Sequence, residues 1–402
     1  MSTFSELGIN DSLAGRLKER YIEKPTEIQN LVIPLLLKGK NIVFRSETGT
    51  GKTFAYLLPA LQKLSEYESK KGAFLLICAP TLELCSQIKA EVDFLTEMPS
   101  ALLIGSVKIE RQIENLKKIK PLIIIGNPGR LLNLYKMKKI NFQNLKYFVL
   151  DEADRLTAQE SIDETKELLA IIERSAKKNE NFCACACSAT VGKKTCAQLG
   201  SLYNSAEIIE TEGNEILKER IEHWAFFSEK RRKMQTLRSL LSALKIKKSR
   251  MKALVFTGRN DEAEKILSQL RYHNLKACGL IGKTNKKAVT GAERKEALDS
   301  FKAGNADVLI STDLASRGLD IPLITHVIQM DVPSDPEAYI HRCGRTGRAG
   351  KRGVMITIGD ETQMRLLSSL EKKLKIRVLP KELYQGKVWG IGIGDQGSGV
   401  DV

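Results

Sequence analysis

The chain has 402 residues, enough for two ordinary domains, and its 42% hydrophobic and 28% charged content describes a globular protein rather than a disordered one. Sixty-four Lys and Arg against 48 Asp and Glu leave a net charge of +16 at pH 7, so the surface attracts polyanions and nucleic acid is the first partner to test. No uninterrupted apolar run of about 18 residues and no charged-then-apolar leader occurs, which disfavours membrane insertion and secretion.

In chain order, short Ile/Val/Leu/Phe runs alternate with amphipathic helical stretches, the pattern of strands buried on both faces of a parallel sheet. The first half predicts strands at Asn41–Phe44, Phe74–Ala79, Ala101–Ile104, Leu122–Ile125, Tyr147–Leu150 and Phe182–Cys187. The second predicts Ala253–Phe256, Ala277–Ile281, Val308–Thr312, Val327–Met330 and Val354–Ile358. Polar residues at Glu207–Glu222 suggest a linker, with domains at 1–212 and 213–378. From Leu379 to the end, Gly386, Gly390, Gly392, Gly394, Gly397 and Gly399 suggest a loosely docked tail.

Eight cysteines and four histidines form no CxxC pair and no histidine cluster, so reduced thiols in a cytosolic setting are expected. Cys183, Cys185 and Cys187 alternate with a period of two and share one face of a strand, as buried thiols.

Two motifs carry chemistry. Ser46-Glu47-Thr48-Gly49-Thr50-Gly51-Lys52-Thr53 lies between a strand and the helical Phe54–Leu64, the setting of a P-loop. There, backbone N–H groups cradle phosphate, Lys52 reaches the outer phosphates and the Thr53 hydroxyl ligates Mg²⁺. Asp151-Glu152-Ala153-Asp154 follows the apolar Tyr147–Leu150, placing carboxylates where open α/β sheets bind ligands. Asp151 would hold Mg²⁺ and Glu152 would orient or deprotonate the attacking water.

With Asp-Glu-Ala-Asp at 151–154 behind a P-loop, the chain resembles the DEAD-box RNA helicase family, over about residues 4–378. The resemblance implies two tandem RecA-like α/β domains, each a mostly parallel sheet flanked by helices, that bind ATP and RNA. Phe4 and Tyr21–Gln29 resemble the Q motif, in which Gln29, behind Pro25, reads the adenine edge and the aromatic stacks on the base. Ser188-Ala189-Thr190 matches the motif that, with Asp154 and His341, couples the ATP state to RNA. Ser311–Asp320 resembles the motif that contacts RNA through Thr312, Arg317 and Gly318 and the ribose through Asp320. His341–Arg348 supplies the arginine fingers Arg345 and Arg348. P-loop and fingers lie in different halves, which implies ATP between the domains, closure with nucleotide, and local strand separation without translocation. Sequence-tolerant phosphate and 2′-OH contacts follow, including Pro80, Thr81, Gly105, Gly129 and Arg130.

The chain departs from the family at Ser46 and Cys343, where small or apolar residues replace Ala and Ile, and more on the RNA side. Leu82 stands for Arg, Gly105-Ser106 for Gly-Gly, and Asn127 for Thr. Gly282 to Arg294 is longer than the family's connection, with Gly291 in the place of Gln and Lys283, Lys286 and Lys287 as substitute phosphate contacts or a solvated loop. The alternatives are a slow-turnover, ATP-gated RNA clamp and a DNA helicase. A monomeric core targeted by a protein partner is expected, in the cytoplasm, or the nucleus or nucleolus if the source is eukaryotic.

Overall fold

The computed structural model describes residues 2–45, 50–67, 72–157, 162–179, 181–188, 199, 201–203, 205–210, 220–245, 251–281, 291–313, 324–347 and 351–391. The chain divides into two compact units, Met1–Gly213 and Asn214–Val402.

The first unit opens with α1 (Asp11–Glu19), which starts where Asn10 accepts the Leu13 N–H at 2.9 Å. In α2 (Glu27–Leu37) a capping box closes the first turn: the Gln29 side chain accepts the Thr26 N–H at 2.9 Å. Then come β1 (Ile42–Arg45), α3 (Lys52–Ser65), β2 (Leu75–Cys78), α4 (Leu82–Leu95), β3 (Ser100–Leu103), α5 (Ile109–Ile119) and β4 (Ile123–Gly126). They are followed by α6 (Pro128–Lys136), β5 (Tyr147–Asp151), α7 (Ala153–Leu156), α8 (Ile162–Ala176), β6 (Cys183–Ser188) and β7 (Glu207–Glu210). The strands pair in the order β3-β4-β2-β5-β6-β1-β7, all parallel.

Alternation along each strand sends side chains to two separate cores. Cys183, Cys185 and Cys187 pack with α1 to α4 on one face, while Ala184 and Ala186 pack with α6 and α8 on the other. All seven described cysteines are free and buried. Burial pushes the Cys183 thiol up to about 12, so it stays protonated and donates to the Lys40 carbonyl at 3.3 Å.

The second unit contains β8 (Ile221–Phe227), α9 (Lys233–Lys245), β9 (Ala253–Thr257), α10 (Asn260–Tyr272), β10 (Ala277–Leu280), α11 (Gly291–Lys302), β11 (Val308–Thr312) and β12 (His326–Gln329). It ends with α12 (Pro336–Cys343), β13 (Gly353–Gly359), α13 (Glu361–Leu374), β14 (Val378–Tyr384) and β15 (Lys387–Gly390). The order is β10-β11-β9-β12-β13-β8-β14-β15, parallel except for the antiparallel β14–β15 hairpin.

Two expectations are corrected here. Residues 379–390 are no loose tail: β14 pairs with β8, and Leu379, Leu383 and Val388 pack on the core beside Trp224. Lys381 is buried with its ammonium 5.3 Å from the Trp224 ring. Residues 392–402 fall outside the described set. The boundary expected near Gly213 is where the chain divides, but the linker is narrower than Glu207–Glu222, since Glu207–Glu210 is the edge strand β7 and Ile221 opens β8. Lys40 and Arg45 of the neighbouring segment pair with Glu207 and Glu210 at 2.5 and 4.0 Å. Charge on an edge strand marks a sheet border as readily as a linker.

His326 gives this unit a pH dependence. Burial holds its imidazole down at about 4, and its Nδ1 lies 2.8 Å from the Thr325 hydroxyl. The unfolded chain takes up a proton near pH 6.5 that the fold resists, so this stability is complete above pH 6.5 and is lost as pH falls toward 4. The loss reaches about 3 kcal/mol as an upper value, because the side chain keeps some exposed surface. Denaturant unfolding between pH 7 and 4 is expected to show a flatter decline for His326→Gln than for the parent. Equal slopes would remove His326 as the cause.

Candidate active site

Three strand ends are level at the C-terminal edge of the first sheet. Asp151 pairs in register with Cys187, Phe44 with Cys187 and Arg45 with Ser188, so β5, β6 and β1 finish side by side. The segments that follow them carry Glu152–Asp154, Ala189–Thr190 and the P-loop. The strand ends that lead into the three motifs are therefore at one edge, where parallel α/β sheets hold ligands.

Gly51 caps α3 in the left-handed region at φ 90°, which makes Lys52 and Thr53 the first residues of that helix. A Cβ on Gly51 would lie 2.4 Å from Gln29 Nε2, so both backbone and space require glycine. No acidic side chain occupies the first turn, leaving its N–H groups and positive dipole end for an anion. Thr50 is half-buried ahead of them, and Ser46, Thr48 and Gly49 lie outside the described residues.

Asp151 is buried at 3% exposure and its carboxylate is held on both oxygens. Tyr56 Oη donates to Oδ2 at 2.8 Å, while Cys187 Sγ at 3.1 Å and the Glu152 N–H at 2.9 Å meet Oδ1. Burial, then the Asp151 charge, push the Tyr56 phenol well up. The same two causes raise the Cys187 thiol, so both stay protonated and remain donors. Thr53 reaches the same phenol, so Tyr56 ties together the two oxygen donors assigned to magnesium. Thr53 hydroxyl and Asp151 carboxylate are hard oxygen ligands, the donor chemistry Mg²⁺ takes. Tyr56 and Cys187 escaped the sequence reading; a helix spacing of three from Thr53, and the register opposite Asp151, are what could have found them.

Glu152 sits at φ 54°, ψ 53°, a left-handed conformation costly for a side chain with a Cβ. Its carboxylate lies 3.4 Å from Arg155, both largely buried. Asp154 is half-buried and accepts the Arg155 N–H at 3.0 Å.

The Q-motif residues are placed less simply. Gln29, 2% exposed, donates from Nε2 to the Gly51 carbonyl at 3.0 Å while Oε1 closes the α2 capping box. One amide therefore links the start of α2 to the P-loop. Pro25 is half-buried just before the cap. Phe4 is 3% exposed and packed in the core with Leu13 and Ile28, so its ring supports α1 and α2 first of all.

Several residues assigned to RNA are engaged inside their own unit. Thr81, next to the half-buried Pro80, caps α4 by accepting the Leu84 N–H at 3.2 Å, and Leu82 packs against the core. Arg130 donates to the Gly105 and Val107 carbonyls at 3.0 Å each, bracing the loop after β3. A Cβ on Gly129 would meet the Glu164 carboxylate at 2.7 Å. Buried Thr312 ends β11 with its hydroxyl 3.3 Å from Asn260 Oδ1.

In the second unit Asp335 and Pro336 start α12, whose last turn carries half-buried His341, then Arg342, and Arg345 follows at 6% exposure. Arg342, which sequence reading passed over, is 2% exposed. It makes a bidentate pair with Asp313 at 2.7 and 2.6 Å and a further pair with Asp331 at 3.0 Å. Ser188 is fully buried at the end of β6. Thr190, Arg317, Gly318, Asp320, Arg348 and the lysines 283, 286 and 287 lie outside the described residues, as does Gly282.

Comparison with known proteins agrees with these motifs. The DEAD/DEAH box helicase family matches residues 26–199, and the helicase conserved C-terminal domain matches 232–350. The DEAD-box ATP-dependent RNA helicase CshC of Bacillus cereus is 33% identical over 90% of this chain and 88% of its own. The ATP-dependent RNA helicase CshA of Listeria monocytogenes is 33% identical over 97% of this chain and 71% of its own. Among solved structures, S. cerevisiae Dbp5 bound to RNA and ADP BeF3 aligns with TM-score 0.80 at 26% identity, covering 94% of this chain and 96% of Dbp5. Mss116p bound to ssRNA and AMP-PNP aligns with TM-score 0.84 at 27% identity, covering 95% and 80%. With two tandem RecA-like domains and this ordered set of motifs, the chain belongs to the DEAD-box family of ATP-dependent RNA helicases.

Proposed function

We propose that this RNA helicase hydrolyses ATP at the edge formed by β1, β5 and β6, and uses the cycle to bind RNA backbone and separate short duplexes locally. The observation that carries the reading is the level register of those strands, which brings Lys52, Thr53, Asp151 and Glu152 to one place. Lys52 and the first-turn N–H groups of α3 bind the phosphates. Asp151, kept oriented by Tyr56 and Cys187, and Thr53 would hold Mg²⁺, which when bound offsets charge on the phosphate oxygens. Glu152 holds the attacking water and takes its proton. Arg345 and Arg348 stabilise the charge that phosphoryl transfer develops. Ser188, Thr190, Asp154 and His341 pass the nucleotide state to the RNA contacts, and loss of the outer phosphate releases RNA.

RNA is read through phosphate and 2′-OH groups by a monomeric core, with a protein partner or RNA structure supplying the target. The free, buried thiols fit a reducing compartment such as the cytoplasm. A slow-turnover RNA clamp is the second reading, favoured by the internal engagement of Leu82, Thr81 and Arg130. Steady-state ATPase with RNA, with DNA and with neither tests the assignment: stimulation by RNA alone is expected, and equal stimulation by DNA would overturn it. An RNA-stimulated ATPase that separates no duplex would select the clamp.

ATP is expected to be preferred strongly over GTP. Guanine presents O6 where adenine presents its N6 amine, and the Gln29 amide, already committed on two of its atoms, has little freedom to adapt. Comparable turnover of the two nucleotides would refute adenine reading through Gln29.

A further inference from the structure

At the opposite end of the first sheet, where β2 and β4 begin, lies a recess of about 320 Å³. Ala73, Leu116, Ile124 and Ile140 give it apolar patches, Asn141 adds a polar group, and Lys120 and Lys139 stand on its rim. These two lysines come from different segments. Lys120 terminates α5, and Lys139 lies just beyond α6, so the fold brings Lys117 and Lys120 of one together with Lys138 and Lys139 of the other.

A third basic segment joins them. Asn179, after α8, donates to the Gln143 and Leu145 carbonyls at 3.0 and 3.1 Å, which fixes exposed Lys177 and Lys178 beside the chain that leaves the recess. Of the acids on the neighbouring helices, Glu114 is paired with Lys118 at 2.7 Å and Glu167 with Lys136 at 2.8 Å. Lys117, Lys120, Lys138 and Lys139 are exposed and make no ion pair among the described residues. The result is a concentrated positive edge around a recess of mixed polar and apolar lining.

Helix ends account for part of it. Lysine favours the negative C-terminal end of a helix, but that field fades within the last turn, and Lys138 and Lys139 lie beyond α6. Backbone conformation adds a second indication. Lys120 and Lys138 hold φ 47° and 56°, where glycine is relaxed and a side chain costs roughly 1–2 kcal/mol. An ammonium is thus kept at two positions where a smaller residue would fit the backbone better.

We propose that this edge is a second RNA-binding surface, which takes the sugar–phosphate backbone of RNA running beyond the stretch held by the helicase motifs. Lysines act as point charges without fixed geometry, which suits phosphate and imposes no base sequence. The mixed lining, with Leu116, Ile124 and Ile140 beside Asn141, accepts a ribose with its hydroxyl while the rim holds the flanking phosphates. All the motifs of the ATP site leave the sheet at the other ends of the strands, so this surface is separate from them. The inference rests on RNA as the substrate of the core.

The test is Lys117, Lys120, Lys138 and Lys139 changed together to Gln in the full chain, since Gln removes the charge, keeps a long unbranched polar side chain and leaves the backbone strain as it is. Binding is measured against salt for a long single strand and for a short oligonucleotide that saturates the ATPase. On the long strand the slope of log affinity against log salt is expected to flatten by up to about 3 units. Affinity for the short strand and the ATPase it stimulates should not move, and the same four lysines changed to Arg should keep the parent slope. An unchanged slope on the long strand, or an equal loss on both strands, would overturn the second surface. If the parent itself shows no RNA-stimulated ATPase, the failure belongs to the core assignment instead.

Discussion

Glu152→Gln is expected to lower RNA-stimulated ATP turnover by roughly 10²–10⁴-fold, the range removed with a general base, while ATP binding stays near the parent value. The substitution keeps side-chain size at a strained position, φ 54°, and can still hydrogen-bond Arg155, so the fold at the end of β5 has little reason to change. What it loses is the carboxylate that takes the proton. Hydrolysis then stalls with ATP bound, and RNA should be trapped in an ATP-dependent complex. Lys52→Ala fails by another route: the first residue of α3 no longer meets the phosphates, so ATP affinity falls with turnover. Nucleotide titration beside steady-state ATPase separates the two. Parent-level ATPase in either variant would sink the site.

The ATP-side motifs were legible because each is a contiguous word placed directly after a buried strand. Gly51-Lys52-Thr53 and Asp151–Asp154 need only their local order to be read, and the strands ahead of them are apolar up to their last residue. What supports them is spread through the fold. Tyr56 and Cys187 meet at Asp151 only because α3 and β6 converge there. Phe4, the ring expected to stack on the base, packs in the core under α1 and α2, a placement its position in the sequence does not reveal.

Strands with polar or mixed faces were the ones missed. β7 reads EIIE with three exposed positions, and β14 and β15, VLPKELY and KVWG, lie from Leu379 on within the stretch whose glycines suggest a tail, though only Gly390 is in a strand. A strand at a sheet border buries one face or neither, so its composition matches that of a loop. β8, Ile221–Phe227, was hidden differently, since its first two residues were counted in a polar stretch although Ile221, Trp224 and Phe226 are buried.

Arg342→Ala is expected to destabilise the second unit by about 3–5 kcal/mol, the cost of removing one partner from a buried ionic network. All five guanidinium donors are used: Nε and Nη2 on Asp313 at 2.7 and 2.6 Å, Nη2 also on Asp331 at 3.0 Å, and Nη1 on Gln329 Oε1 and the Asp331 carbonyl at 3.0 and 2.6 Å. The Phe256 ring lies 5.3 Å from its carbon. Burial alone would lower this group, but Asp313 and then Asp331 more than restore the charge, so the guanidinium ends raised. One side chain therefore joins the end of β11, the end of β12 and α12, and through them sets where Asp313 and Arg345 stand. Lys cannot substitute, because a single ammonium reaches too few of these acceptors. Both tryptophans of the chain, Trp224 and Trp389, lie in this unit, so their emission follows its unfolding selectively. The denaturant midpoint read by tryptophan should fall sharply for Arg342→Ala and Arg342→Lys. Neutralising the stranded acids in Arg342→Met with Asp313→Asn and Asp331→Asn should recover part of it, since the loss comes from two carboxylates left without their cation. A midpoint within about 0.5 kcal/mol of the parent, the range of an ordinary surface change, would mean the network orders the motif without stabilising the unit.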